Sequence, residues 1–216
     1  MEINPEFETI LNPPIVSVPA HRSYKIAKWV SQISSPPLLI LIGLGLASAA
    51  MGTSQAWIWA GFYLLIVVAG PSIYIYGKVR KGEITDFHMK VREQRIKPLF
   101  LSLICTILGW IVLEMGNAPS PLVLFAGAGI FQILFIFLVT LRWKISGHSA
   151  AIGGFAVFIV ALFGNAAAPI LLTIPLVAWA RVRLNRHEIL QTIAGSLAGI
   201  FFMWGTIWLI TGFPVY

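Results

Sequence analysis

Two short motifs stand at turning points of an apolar chain, Ser146-Gly147-His148-Ser149 and Arg181-x5-His187. Two apolar segments separate them, and an even number of membrane crossings returns a chain to the face it left. Serine and glycine at a helix start leave backbone N–H groups approachable, where the helix dipole favours an anion. Arginine offers a planar fork of donors suited to phosphate oxygens, and a neutral imidazole can attack phosphorus. Joined at one site, these residues have the layout of phosphate-ester chemistry at a bilayer surface.

A third cluster, Lys90-x6-Lys97-Pro98 with Arg92 and Arg95 between the lysines, ends a long basic loop. If this stretch is helical, Arg92 and Arg95 are three apart and share a face, so both can grip one phosphate. Each cluster alone has a plain structural reading: a serine cap with an interfacial histidine, a basic loop, and a solvated loop before a proline-started helix. Their joint occurrence is what favours an anion site.

The elements that must position these residues are membrane helices. Hydrophobic residues make up 58% of the 216 and charged residues 11%, too few charges to clothe a soluble globule. Apolar runs cover 36–51, 56–76, 98–115, 121–141, 146–164, 168–180 and 188–210, most of them near the ~20 residues that a spanning helix needs. The expected fold is all-α, a multi-pass transmembrane bundle of six or seven helices. The run from Ala168 to Ala180 is short and carries Pro169 and Pro175, while Ile26 to Ile33 either lengthens the first helix or lies along the surface. Residues 1–28 read as an N-terminal surface tail without a signal peptide, and 29–216 as a single transmembrane domain.

All fifteen Lys and Arg fall at Arg22–Lys28, Lys78–Lys97, Arg142–Lys144 and Arg181–Arg186. Threading the seven runs puts all four groups on one face, and the positive-inside rule makes that face cytoplasmic in a protein of the cell membrane. Attraction of anionic lipid headgroups would exploit the same asymmetry. Cys105 sits within an apolar run and reads as packing. His21 and His88 read as solvated, the tryptophans as interface anchors, and no His-x3-His, Cys-x2-Cys or carboxylate cluster suggests a metal site.

From Lys90 to Gly199 the sequence resembles the type 2 phosphatidic acid phosphatase and vanadium haloperoxidase superfamily, whose motifs are Lys-x6-Arg-Pro, Pro-Ser-Gly-His and Ser-Arg-x5-His-x3-Asp. The resemblance implies that His187 is the nucleophile and that His148 protonates the leaving oxygen. It further implies that Arg181, the cations Lys90, Arg92, Arg95 and Lys97, and the backbone around Ser146 and Gly147 hold the phosphoryl group. Neither a metal nor another cofactor is implied. Lys97, Ile145 and Ala180 replace the family's arginine, proline and serine, and Arg92 and Arg95 are expected to supply the fork that Lys97 lacks.

Gln191 replaces the aspartate that orients the nucleophilic histidine. An amide oxygen can accept the same ring N–H but brings no charge to a developing imidazolium. The segment Arg181-Val182-x-Leu184-x2-His187-x3-Gln191-x3-Gly195 is similar to the third motif of dolichyl-diphosphatase-like members, which also carry glutamine. The sequence therefore points to metal-independent hydrolysis of a lipid phosphate or polyprenyl diphosphate through a phosphohistidine. The expected partners are that lipid and anionic bilayer lipids, not nucleic acid. The alternative is a non-catalytic protein that binds or transports anionic lipid through a decayed site.

Overall fold

The computed structural model describes residues 22–85, 89 and 91–211. Helix α1 (Arg22–Ile33) precedes α2 (Pro36–Met51). Helix α3 (Ser54–Leu64) continues through a π turn, Leu65–Ala69, into α4 (Gly70–Arg80). A 3-10 turn, Glu93–Arg95, leads into α5 (Ile96–Met115), followed by α6 (Ser120–Thr140) and α7 (Gly147–Phe163). A second 3-10 stretch, Asn165–Leu172, enters α8 (Thr173–Arg183), and α9 (Ile189–Thr211) ends the described chain.

Five of these elements are long and apolar enough to cross a bilayer: Ser54–Arg80, Glu93–Met115, Ser120–Thr140, Asn165–Arg183 and Ile189–Ile210. The α1–α2 pair also qualifies but is bent by 55°, and α7 is a shorter apolar helix. The seven apolar runs therefore correspond to helices of a multi-pass bundle. Ile73, Phe201 and Leu209 are exposed on its outside, as suits a molecule whose solvent is hydrocarbon.

Local chemistry sets the boundaries. Pro36 and Pro37 start α2 at helix positions where no amide donor is needed, and the chain bends at Ser34-Ser35. Residues 26–33 thus belong to a separate helix, and residue 28 falls inside it. The π turn immediately precedes Gly70-Pro71, so the ladder adjusts where proline supplies no donor. Pro169 and Pro175 are accommodated by a 3-10 start to the short span. Residues 91–95 hold one 3-10 turn, Glu93–Arg95, before α5 opens at Ile96.

Helix α7 occupies the middle of the bundle, against α2, α8 and α9. Its contact with α9 is backbone to backbone: a Cβ on Gly199 would lie 2.0 Å from the Ala150 carbonyl oxygen, and one on Gly195 2.5 Å from that of Ser146. Gly195-x3-Gly199 is the small-residue spacing that lets membrane helices approach closely. Around this seam the core is apolar, with Phe125 of α6 and Phe158 of α7 edge to face at 4.8 Å. Helix α1 packs on α8. Its opposite side carries Ile26, Trp29 and Ile33 in the open, the spacing of an amphipathic helix lying in the interface.

Candidate active site

Ser146 is the N-cap of α7. Its Oγ accepts the Ser149 N–H at 3.3 Å and lies 2.9 Å from Ser149 Oγ. Its own N–H donates to the Gln191 carbonyl at 3.2 Å. This changes one expectation: Ser146 is a fully buried strut joining α7 to α9, and its N–H is committed to protein rather than to an anion. Gly147 and His148 follow in the first turn and line a cavity of about 550 Å3. A Cβ on Gly147 would meet nothing within 4 Å, so the backbone there is approachable from the cavity.

Arg181 and His187 are brought together by the way α8 ends. Asn185 adopts φ 52°, its N–H donates to Val182 O at 2.9 Å, and the Arg186 N–H donates to Arg181 O at 3.1 Å. That paired closure is a Schellman turn, with asparagine in the left-handed position usually held by glycine. It reverses the chain within the five residues separating Arg181 from His187. Both side chains are buried and line the same cavity as His148.

Gln191, in the first turn of α9, faces His187. Nδ1 of His187 lies 2.9 Å from Gln191 Oε1, and the same oxygen accepts the Glu188 N–H at 3.4 Å. A backbone N–H only donates, so this second contact identifies the amide atom as oxygen. Nδ1 must then carry the ring proton, leaving Nε2 with its lone pair. Burial, then the positive charge of Arg95, push the His187 pKa from 6.5 down to about 3; Arg181 and Lys144 lower it further and the Gln191 hydrogen bond only partly opposes them. The imidazole is neutral at pH 7, among cations that an anion would screen.

The first basic cluster divides. Arg95 is buried, donates from Nε to Met89 O at 2.8 Å and from Nη1 to Ile145 O at 3.3 Å, and lines the cavity. Arg92 does not line the cavity with it, although the two are joined by one 3-10 turn in which the Arg95 N–H donates to Arg92 O at 3.0 Å. The Arg92 guanidinium lies against Glu93 at 2.8 Å and donates to Leu141 O at 2.6 Å, at the end of α6. Lys97 is exposed on the first turn of α5, about 200° around the helix from Arg95. Lys90 lies outside the described residues, as do His21 and His88. Sequence reasoning missed Lys144, whose charge reaches His187, although its place two residues before Ser146 was a signal. It also missed Ser31, whose Oγ accepts from Arg181 Nη1 at 2.6 Å.

The remaining cavity wall is apolar, with Leu39, Ile40, Val67, Phe125, Phe155 and Met203 among its lining. Its volume is within the ~300–1,000 Å3 of ordinary ligand sites. Among the described residues, no three His, Cys, Asp or Glu side chains gather in a way that would hold a metal ion.

A family model described as the PAP2 superfamily matches residues 53–213. The chain belongs to the PAP2 superfamily. Membership supports a phosphatase-type activity on phosphoric esters, in what the helices make an integral membrane protein. Comparisons with curated proteins and with solved structures give no significant match. The PAP2 match includes His148, Arg181, His187 and Gln191 and leaves α1 and α2 outside it.

Proposed function

We propose that this PAP2 chain is a metal-independent lipid phosphatase, acting on a lipid phosphomonoester or a polyprenyl diphosphate through a phosphohistidine. The observation that carries this reading is the convergence of Arg95, Gly147, His148, Arg181 and His187 on one cavity with an apolar interior. Arg95 and Arg181 hold the phosphoryl oxygens, and the apolar wall takes the hydrocarbon. The Nε2 lone pair of His187 attacks phosphorus, the bond from phosphorus to the leaving oxygen breaks, and His148 gives that oxygen its proton. Water then attacks the phosphohistidine, with His148 taking up the proton, and phosphate leaves as His187 is restored. Gln191 holds the Nδ1 proton throughout. Fixed cations stabilise the transition-state charge, the role that a metal ion fills elsewhere.

The glutamine-containing third motif favours a polyprenyl chain over a glycerolipid, while the apolar cavity suits the hydrocarbon of either. Asymmetry of the basic residues supports a cytoplasmic site in a cell-membrane protein, and the gathering of the described helices around one cavity supports a single transmembrane domain in which the boundary drawn at residues 28 and 29 does not divide α1. Phosphate release by the purified chain, with prenyl diphosphates compared against phosphatidate and lysophosphatidate in excess EDTA, tests the reading. Release is expected without added divalent ion, with prenyl diphosphates preferred. Activity lost to EDTA and restored by magnesium contradicts the chemistry; no release from any of these lipids, despite phosphate binding, identifies a lipid-binding or transport protein.

A further inference from the structure

The side chain that steadies Arg181 comes from outside the segment matched to the family. Ser31 lies on α1, 150 positions earlier in the chain, and both side chains are buried, Ser31 at 4% and Arg181 at 2% exposure. On α1, Ser23, Ala27, Val30 and Ser31 fall on one side, and α1 packs on α8 along that side. Hydrogen bonds join the helices: Arg181 Nη1 donates to Ser31 Oγ at 2.6 Å beside the cavity, and Arg183 Nε donates to Ser23 Oγ at 3.2 Å on the exposed surface. Gln32, Ser35 and Pro36 carry the α1–α2 junction onto the cavity wall.

A long flexible side chain placed at a phosphate site is useful only if its fork is held in one orientation, since a small misplacement of a positioning group costs much of its effect. We propose that Ser31 is a positioning residue of the active site, fixing the Arg181 guanidinium for phosphate, so that α1 is part of the site rather than a surface tail. This rests on the reading of Arg181 as a phosphate ligand. A hydroxyl suits the task because it accepts from the guanidinium without introducing a charge that would compete with phosphate. A carboxylate there would bind arginine more strongly and repel the ligand.

Inorganic phosphate is the probe, with affinity read from the concentration dependence of thermal stabilisation of the full chain in detergent. Ser31→Ala should weaken phosphate binding by about tenfold, the lower end of what a hydrogen bond to a charged group is worth. Ser31→Thr, which keeps the hydroxyl, should restore it. Ser23→Ala, which removes a tie between α1 and α8 away from the cavity, should bind phosphate like wild type. Wild-type affinity in Ser31→Ala overturns the proposal. So does equal weakening by Ser23→Ala, which would make α1 a clamp and not a positioning element. Wild-type protein that binds no phosphate overturns both this proposal and the phosphatase reading, whereas binding without turnover removes only the latter.

Discussion

At the residue scale, the least usual feature is a neutral partner behind a buried histidine. Gln191 ties together three groups, accepting His187 Nδ1–H and Glu188 N–H through its side chain and Ser146 N–H through its backbone. Gln191→Leu keeps the backbone tie but removes the acceptor, and activity should fall by about 10- to 100-fold, as losses of such supporting partners do. Gln191→Asp should keep or raise activity above neutral pH, where its carboxylate stabilises the imidazolium. A Leu variant as active as wild type would contradict this role. Histidine burial has a pH consequence as well. Because folding depresses the His187 pKa to about 3, the unfolded chain binds one more proton between pH ~3 and ~6.5, and that contribution to stability is lost as pH falls through this window. His187→Ala lacks the loss, so its stability relative to wild type should rise by about 1.4 kcal/mol per unit between pH ~6 and ~4. Parallel unfolding profiles across that range would contradict it. His148, Arg181 and His187 were legible because each belongs to a short motif, Ser146-Gly147-His148 or Arg181-x5-His187; Ser31 was not, because nothing near it announces a partner 150 residues away.

At the element scale, the α7–α9 seam joins the helix that carries His148 to the helix whose first turn holds Gln191 behind His187. Gly199 has the Ala150 carbonyl where a Cβ would go, and Gly153 has that of Ser196 at 2.6 Å. Since these contacts are backbone and cannot rotate aside, Gly199→Ala must push the helices apart. Phosphate release should drop by more than tenfold, in proportion to that misplacement, while Gly205→Ala, with open space around it, should behave like wild type. Full activity in Gly199→Ala would show that the seam does not control the site. The apolar runs made the helices readable, since a bilayer demands continuous hydrophobic length. The breaks within them were less readable. The π turn before Pro71 and the bend at Ser34-Ser35 depend on packing as well as sequence, and Arg92 is drawn from the cavity by a carbonyl at the end of α6, a partner 49 residues away.

At the scale of the whole molecule, topology gathers residues from the end of α1, the turn before α5, α7, α8 and the turn before α9 around one cavity. Same-face return of the motifs was legible from counting apolar runs; the division of the first basic cluster was not. The proposed orientation rests on fifteen basic residues confined to four short stretches of the sequence. In a Cys105→Ser background, Thr85→Cys should be shielded from an impermeant thiol reagent in intact cells while Asn117→Cys is labelled, and the reverse pattern would overturn the cytoplasmic assignment without touching the chemistry. The most direct test of the central claim is to trap phosphorylated protein during turnover of a labelled lipid phosphate, quenching in base, where a phosphohistidine survives. Wild type should carry label on His187, and His187→Ala, expressed and folded, should carry none; label retained in His187→Ala, or turnover by that variant at the wild-type rate, would contradict the account.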